Sequence, residues 1–248
     1  MIRLVAFDLD GTLTQHKTPL SAENRQILDR LAGRYRLLMV GAGRCERIFA
    51  QMEEYPIDII GNYGMQFSRY DDKSGTLIPV RNDCVPCDRV SVGERIASLR
   101  ERYGYIEFTG EGVEFHPSGC VTFPLCGTAA SPQVKLSFDP DRSRRRVMYA
   151  DVCRTFPDFH VFIGGSSSFD FAPLPYNKYY ALDRYCEENG FAHDEVCFVG
   201  DDYGEGGNDE SVYRSDFGFL CVDDYRRLEK FVEPLLHGNG SMTIDRSV

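Results

Sequence analysis

The sequence predicts an α/β fold, a Rossmann-like core with a parallel sheet covered by helices on both faces. Short apolar runs alternate with helical patterns over the first sixty residues, and the same rhythm returns after residue 177. Between these parts the pattern changes to that of an α+β insert. At 248 residues the chain is long enough for a large domain that carries a second one. We predict a core of residues 1–82 and 177–248 and an inserted domain of residues 83–176.

The first part of the core is predicted from apolar runs and helical spacing. Residues 2–7 form an apolar run typical of a buried strand, and Ser21 is suited to cap a helix in which Ile27 and Leu31 share one face. The remaining predicted elements are a strand at 35–40, a helix at 44–55 that stops before Pro56, and a strand at 57–60. Strands and helices that alternate in this way predict βαβ units.

The insert and the second part of the core follow the same reasoning. In the insert we predict a helix from residue 92 to 103, period-2 segments around Ile106, Val113, Val121 and Val134, a helix through 147–152 and a strand at 159–163. In the core we predict a helix through 181–186 that ends at Gly190, strands at 196–199 and 217–222, a helix opened by Asp223, and a mobile polar tail at 238–248.

Charge and composition exclude several classes of partner. With 28 Lys and Arg against 38 Asp and Glu, the formal net charge is −10, which repels nucleic acids and anionic lipid surfaces. No apolar stretch approaches the ~20 residues that a membrane span needs. We expect a cytoplasmic protein without nucleic-acid or membrane partners, whose nine cysteines are reduced. Cys84 and Cys87 have C-x-x-C spacing but lack a second pair of zinc ligands.

Two carboxylates follow the first predicted strand. Asp8 and Asp10 point to the same side of an extended segment, and Gly11 and Thr12 come directly after them. Open α/β sheets bind ligands at the carboxyl edge of their strands. One carboxylate could hold a metal and attack, while the other handles protons. The alternative is an ordinary acidic turn.

A second acidic strand end follows residues 196–199. Gly200, Asp201 and Asp202 come first, and a Gly-Gly-Asn-Asp run follows at 206–209. Oxygen ligands that converge from two strand ends suit Mg²⁺, and Asp201 is the clearest ligand. The alternative is a glycine-rich turn with solvated acids.

These motifs resemble the haloacid dehalogenase superfamily, in the type IIB branch that has a large inserted cap. Within that branch the chain is similar to eukaryotic-type phosphomannomutases. The motifs that carry the resemblance, in order, are Asp8–Thr14, Tyr105–Phe108, Gly164-Gly165 with Ser168–Asp170, Asn177-Lys178 and Gly206–Asp209. The resemblance covers nearly the whole chain and implies phosphoryl transfer through an aspartyl-phosphate with Mg²⁺.

The resemblance also implies a role for each matching residue. Asp8 would be the nucleophile, Asp10 the acid and base, and Lys178 the cation that neutralises Asp8 and the phosphoryl oxygens. Ser168 and Asp170 match the family's ligands for sugar hydroxyl groups. The implied metal site consists of Asp8, Asp10 through its carbonyl, Asp201, Asn208 and Asp209. The resemblance further implies that the protein can pair as a homodimer through its caps.

The chain departs from the family at the phosphate-binding motif. Where the family has Ser or Thr, Ala42 or Gly43 stands, and Arg44 follows. One hydroxyl donor to the transferring phosphoryl group is therefore missing, which typically raises a barrier by about 2.7–4 kcal/mol. We expect reduced activity, with phosphate contacted by the main chain of residues 42–44 and by the Arg44 charge.

A second departure lies in the cap. Phosphomannomutases hold the distal phosphate of a bisphosphorylated sugar with three arginines, and those positions here are Thr109, Cys120 and Gln133. The basic run 142–146 is a candidate replacement, although such runs are usually solvated faces. The sequence therefore predicts a Mg²⁺-dependent phosphatase that acts on a small phosphorylated metabolite, with a sugar phosphate as the favoured substrate. The alternatives are a phosphomannomutase-like phosphohexomutase and a non-catalytic sugar-phosphate-binding protein.

Overall fold

A computed structural model describes residues 1–237 of the chain, and the predicted mobile tail at 238–248 lies outside the described residues. The fold is mixed α/β, as predicted. Two compact units are present. The larger comprises Met1–Asn82, Lys178–Gly204 and the described residues from Asp209 onward, and the smaller comprises Asp83–Asn177 and Glu205–Asn208. That these units act as a core and a cap stays a prediction.

The elements run in chain order as follows. The strands are β1 (Leu4–Phe7), β2 (Arg36–Val40), β3 (Asp58–Gly61), β4 (Gln66–Asp71), β5 (Thr76–Asn82), β6 (Glu114–Phe115), β7 (Val121–Pro124), β8 (Phe159–Phe162), β9 (Ser168–Pro173), β10 (Val196–Gly200) and β11 (Gly218–Cys221). The helices are α1 (Ala22–Ala32), α2 (Cys45–Gln51), α3 (Arg89–Tyr103), α4 (Pro132–Phe138), α5 (Ser143–Thr155), α6 (Lys178–Asn189), α7 (Glu210–Tyr213), α8 (Leu228–Phe231) and α9 (Glu233–His237).

The larger unit is built on one twisted sheet with the strand order β11-β10-β1-β2-β3-β4-β5. The first five of these strands are parallel, and β4 and β5 form an antiparallel hairpin at the edge. In β1, Val5 and Phe7 pack with α1, α2, α8 and α9, while Leu4 and Ala6 pack with α6 and α7. Burial of both faces explains why β1 reads as a continuous apolar run.

The smaller unit packs helices α3 and α5 against a four-stranded antiparallel sheet with the order β6-β7-β9-β8. Its core contains apolar residues from both layers, among them Val92 and Leu99 of α3, Val152 of α5 and Phe171 of β9. Asp88 caps α3 by accepting a hydrogen bond from the Ser91 N–H group at 3.1 Å. This α+β arrangement agrees with the pattern predicted for the insert.

The structure differs from the sequence prediction at several places. The hairpin of β4 and β5 was not predicted, because β5 is mostly exposed and alternates weakly. Val134 lies in helix α4, not in a period-2 segment, because Ser131 caps that helix and Pro132 starts it. Ile106 lies outside any strand and is 65% exposed. The helix predicted after Asp223 is divided into short helices, and Pro234 is the second residue of the last one.

Across residues 1–237, every helix falls short of the length and apolar character that would let it cross a bilayer.

Candidate active site

In the sheet of the larger unit, the order in which the chain adds strands reverses between β1 and β10. The chain passes from β1 to β2 and β3 on one side, whereas β10 and β11 lie on the other side of β1. The carboxyl ends of two such strands form the crevice in which α/β sheets bind ligands. Asp8 directly follows β1 and Asp201 directly follows β10, so both predicted residues lie at this point.

Three carboxylates meet there. Asp8, Asp201 and Asp209 each offer an oxygen atom, and these atoms lie within 4.8 Å of one another. Asp8 is 5% exposed and Asp209 is fully buried. Asp209 reaches the cluster from the loop that precedes α7, where its Oδ2 accepts a hydrogen bond from the Asp202 N–H group at 3.0 Å. The structure thus brings together three of the predicted metal ligands.

Lys178, the first residue of α6, supplies the positive charge of the cluster. Its Nζ donates to Asp8 Oδ1 at 2.5 Å and to Asp209 Oδ1 at 2.7 Å, and its side chain is fully buried. Burial by itself would lower the pKa of Lys178, but the carboxylates of Asp209 and Asp8 raise it above its usual value. Lys178 is therefore an ammonium ion held against Asp8.

The cluster has an excess of negative charge. Three carboxylates face one ammonium group, which leaves two negative charges when all are ionised. Burial raises the pKa of Asp8 despite Lys178, and the charges of Asp209 and Asp201 add to this effect. Burial and the charge of Asp209 raise the pKa of Asp201 to about 6. A buried set of carboxylate oxygens with unbalanced charge fits a hard divalent cation such as Mg²⁺.

Small residues allow the acidic side chains to approach. Gly11 has φ +104°, and a Cβ atom there would lie 2.5 Å from Asp201 Cγ. The Thr12 hydroxyl donates to Asp201 Oδ1 at 2.7 Å, which orients that carboxylate. A Cβ atom at Gly200 would lie 2.6 Å from Asp209 Oδ2. Glycine and threonine in these two motifs therefore determine where the carboxylates can lie.

Asp10 lies beside the cluster with a different set of partners. Its Oδ1 accepts hydrogen bonds from Gln51 Nε2 at 2.7 Å and from the Lys17 N–H group at 2.9 Å. Its Oδ2 lies 3.4 Å from Arg47 Nη2 and 3.7 Å from His16 Nδ1. Burial opposes ionisation, but these hydrogen bonds and positive charges hold the pKa of Asp10 below its usual value. The Asp10 side chain is thus a carboxylate held by α2 and by the loop after β1.

The predicted phosphate-binding loop connects β2 to α2. Its main chain is fixed, because the Gly41 N–H group donates to the Ile60 carbonyl and the Asn62 N–H group donates to the Gly43 carbonyl. Since β1 and β2 are parallel neighbours with Phe7 opposite Met39, this loop lies next to Asp8. Ala42 and Gly43 are half-buried, and Arg44 is exposed at the N-terminus of α2. Their contacts with substrate stay a prediction.

Ser168 and Asp170 lie in the smaller unit, on β9, and both have partners there. The Ser168 hydroxyl donates to the Gly164 carbonyl at 3.0 Å, and Asp170 Oδ1 accepts from the Thr122 hydroxyl at 3.0 Å. Burial raises the pKa of Asp170. A Cβ atom at Gly164 would lie 2.5 Å from Asp170 Cγ, so this glycine makes room for the carboxylate. Sugar binding by these two residues stays a prediction.

Of the basic run 142–146, which was the candidate replacement for the missing arginines, Arg145 is hydrogen-bonded within the smaller unit. Arg145 is 1% exposed and donates to Asp139 Oδ2 at 2.8 Å and to main-chain carbonyls, including that of Gly164 at 2.7 Å. This residue of the 142–146 run therefore supports the smaller unit. Of the three positions without arginine, Thr109 and Gln133 are exposed, whereas Cys120 is buried directly before β7.

Asn208 lies in the segment Glu205–Asn208, which belongs to the smaller unit. That Asn208 binds the metal stays a prediction.

Sequence reasoning assigned no role to Thr12, Gln51 and Arg47. Thr12 could have been found, because it is part of the first acidic motif. Gln51 and Arg47 lie four residues apart on α2, so they share a helix face, but nothing in the sequence indicates that this face points at Asp10.

Comparison with known proteins gives several relatives. The chain is 27% identical over 224 residues to a phosphomannomutase of Saccharomyces cerevisiae, with 85% of this chain and 84% of that protein covered. It is 28% identical over 234 residues to a phosphomannomutase of Triticum aestivum, with 86% of each covered.

Solved structures show the same fold at low sequence identity. A truncated, IMP-bound IMP-nucleotidase of Plasmodium falciparum has a TM-score of 0.67 at 14% identity, over 95% of this chain and 68% of that one. A haloacid dehalogenase-like hydrolase of Bacteroides thetaiotaomicron has a TM-score of 0.59 at 16% identity, over 96% of this chain and 99% of that one.

The family model for eukaryotic phosphomannomutase matches residues 25–220 of the chain. The chain is a member of the haloacid dehalogenase superfamily and belongs to its eukaryotic phosphomannomutase family.

Proposed function

We propose that the chain catalyses Mg²⁺-dependent phosphoryl transfer from a small phosphorylated sugar through Asp8. The observation that supports this most directly is the contact of Lys178 Nζ with the Asp8 carboxylate, inside a buried acidic cluster at the switch point of the sheet. A carboxylate that is oriented by a buried ammonium group can meet an anionic phosphate without strong repulsion. Family membership supports the same chemistry.

In the first step an Asp8 oxygen attacks phosphorus and the bond between phosphorus and the ester oxygen breaks. The phosphoryl group is then on Asp8, and the leaving oxygen takes a proton from Asp10. Asp10 has a lowered pKa in this structure because Gln51 and Lys17 donate to its carboxylate. The carboxylate form is therefore favoured, so Asp10 must gain a proton before it acts as the acid, whereas its ionised form can accept a proton directly.

In the second step an acceptor oxygen attacks the phosphoryl group. Asp10 removes the proton from that oxygen, the bond between phosphorus and Asp8 breaks, and Asp8 returns as a carboxylate. Asp8, Asp201 and Asp209 are the side chains that would hold Mg²⁺. When bound, the ion supplies positive charge that balances these carboxylates and the phosphoryl oxygens.

The acceptor distinguishes two activities, and different observations favour each. The relatives named above are phosphomannomutases, which favours a sugar hydroxyl as acceptor and so a mutase. A mutase must also bind the second phosphate of a bisphosphorylated sugar, and the three arginines that do so in the family are replaced here by Thr109, Cys120 and Gln133. Their absence favours water as the acceptor and therefore a phosphatase. Similarity to known phosphomannomutases supports the mutase more strongly, and the phosphatase is the second candidate.

Turnover of phosphate esters tests the common step. We would measure turnover of a panel of sugar and aryl phosphates, with and without Mg²⁺, in the wild type and in Asp8→Asn, both as phosphate release and, with a sugar bisphosphate present, as formation of the isomeric sugar phosphate. Turnover that needs Mg²⁺ and disappears in Asp8→Asn is expected. Asp72→Asn is a matched control, because Asp72 is an exposed residue of the turn between β4 and β5. Turnover that survives in Asp8→Asn would overturn the proposal.

A second assay identifies the acceptor. Conversion of mannose 6-phosphate to its 1-phosphate isomer is followed with and without a sugar bisphosphate. Activation by the bisphosphate, with little phosphate released, would support the mutase. Phosphate release that is indifferent to the bisphosphate would support the phosphatase. Binding of the sugar phosphates without either reaction would support a binding protein instead.

A further inference from the structure

The guanidinium group of Arg47 occupies the space that a side chain at residue 43 would fill. A Cβ atom built on Gly43 would lie 2.5 Å from Arg47 Nε and 2.8 Å from Arg47 Cζ. Residue 43 is one of the two positions at which the resemblance places the missing Ser or Thr. The chain therefore has a cation where its relatives' motif has a hydroxyl-bearing side chain.

We propose that Arg47 replaces the missing hydroxyl as the side-chain donor to the transferring phosphoryl group. This inference rests on the proposed function and assigns a further substrate-binding residue to the same site. A guanidinium group offers five N–H donors in a planar fork that matches phosphate oxygens, and it remains charged at all working pH values. It therefore supplies what a serine would supply and adds a positive charge.

The position of Arg47 within the larger unit supports this role. Its Nη2 lies 3.4 Å from Asp10 Oδ2, and Asp10 is two residues from the nucleophile Asp8. Its Nη1 donates to Gln51 Oε1 at 2.9 Å, which holds the side chain along α2. The Arg47 side chain is 39% exposed, so a ligand can reach it.

The donors of Arg47 are not exhausted by these contacts. Within residues 1–237, its side-chain hydrogen bonds involve Nη1 and Nη2, and the contact with Asp10 at 3.4 Å is long for a charged pair. Nε makes neither of these hydrogen bonds, and both Nε and Nη2 lie on the Gly43 side of the loop. A phosphoryl oxygen above Asp8 would be a better partner than the distant Asp10 oxygen.

Four variants test the replacement. Arg47→Ala should lower kcat/KM for the best phosphate ester about 10²–10³-fold, as for other lost transition-state donors. The kcat/KM of Arg47→Lys should lie between the values of the wild type and Arg47→Ala, because lysine keeps the positive charge but lacks the planar set of N–H donors. Gly43→Ser alone should also lower activity, because its Cβ would displace the guanidinium group. Gly43→Ser combined with Arg47→Ala should recover activity relative to Arg47→Ala, since the hydroxyl then has room.

A binding measurement separates this role from an effect through Asp10. Calorimetric binding of orthovanadate with Mg²⁺ should weaken in Arg47→Ala, and it should weaken equally when Asp10→Asn is already present. Vanadate affinity that is unchanged by Arg47→Ala, or changed only when Asp10 is intact, would overturn the proposal. Arg30→Ala removes an exposed arginine of α1 and is the charge-matched control.

The two proposals fail in different ways. If wild-type turnover disappears in Asp8→Asn but neither turnover nor vanadate affinity changes in Arg47→Ala, the proposed function stands and the inference about Arg47 is wrong. If the wild type neither turns over any ester nor binds vanadate, both are wrong. A thermal melt of each variant shows whether it is folded.

Discussion

The Lys178 ammonium group lies between Asp8 and Asp209, 2.5 Å from an oxygen of the first carboxylate and 2.7 Å from an oxygen of the second, and all three side chains are buried. One cation thus joins the end of β1 to the loop before α7. The arrangement is both structural and chemical, because the charge that pairs with these buried carboxylates would also attract an anionic substrate.

Replacing Lys178 should harm stability as well as activity. Lys178→Met leaves two buried carboxylates without their cation, and breaking a buried ion pair in this way costs about 3–5 kcal/mol. We expect that loss in the free energy of unfolding, measured with urea in metal-free buffer, together with loss of turnover. Lys230→Met, at an exposed position of α8, should change neither. Adding Asp209→Asn to Lys178→Met should restore part of the stability. A fully stable Lys178→Met would show that these carboxylates are not ionised in the folded protein.

Gly11 should tolerate no side chain. Its φ of +104° disfavours any L residue, and a Cβ atom would lie 2.7 Å from Asp201 Oδ1. Gly11→Ala should therefore displace Asp201 and abolish Mg²⁺-dependent turnover. Gly190 at the end of α6 is the matched control, because it has φ +69° and a Cβ atom there would meet nothing within 4 Å. Gly190→Ala should cost only about 1–2 kcal/mol of stability, the backbone penalty, and leave turnover intact. Equal activity losses in the two variants would contradict the close approach to Asp201.

Mg²⁺ should stabilise the folded protein through Asp201. A ligand that binds only the folded state adds about 2.7 kcal/mol at a concentration of 100 Kd. We expect the melting temperature to rise with Mg²⁺ in the wild type and in the exposed-site variant Asp72→Asn. In Asp201→Asn the rise should be smaller at every concentration, because one carboxylate ligand is gone. A rise of the same size in Asp201→Asn would place the ion elsewhere.

The acidic part of the site could be predicted from sequence because it depends on strand ends. Asp8 and Asp201 each follow a buried apolar strand, and the parallel arrangement brings such ends to one edge. Arg47 could not be assigned, because its role depends on how α2 is rotated against the sheet and on the space left by Gly43. That rotation is set by packing of Ile48 and Cys45 in the core, which no local pattern reports.

The elements that sequence reasoning missed share a physical cause. Strand β5 is largely exposed, so its residues lack the alternation that burial of one face would impose. Val134 and Leu136 are apolar but 51% and 63% exposed on α4. Exposed apolar residues are ordinary at protein surfaces, so Val134 gave a false strand signal. Apolar patterns in the sequence predict the elements whose burial produces those patterns. Here these are the parallel core of the larger unit and the core of the smaller unit.

His193 should make stability depend on pH. Its Nδ1 lies 2.8 Å from Asp216 Oδ1, its Nε2 lies 3.0 Å from Asp183 Oδ1, and its ring stacks on Phe217. Burial lowers the pKa of His193, but the hydrogen bonds and charges of Asp216 and Asp183 outweigh it, so the folded-state pKa is raised. A raised pKa means that the folded state holds the proton more tightly. This stabilisation is complete below the unfolded value of about 6.5 and is lost as the pH rises through the folded-state pKa.

His193→Gln should therefore cost more stability in acid than in alkali. For a partly exposed ion pair we expect about 0.2–1 kcal/mol of additional destabilisation at low pH, whereas removal of the ring stacking on Phe217 destabilises the protein at every pH. Urea unfolding at about pH 5 and about pH 9, on either side of the titration, measures the difference. High salt should reduce it, because partly exposed charges are screened. A destabilisation that is the same at both pH values would mean that His193 acts through packing on Phe217 alone, since ring stacking does not require the proton.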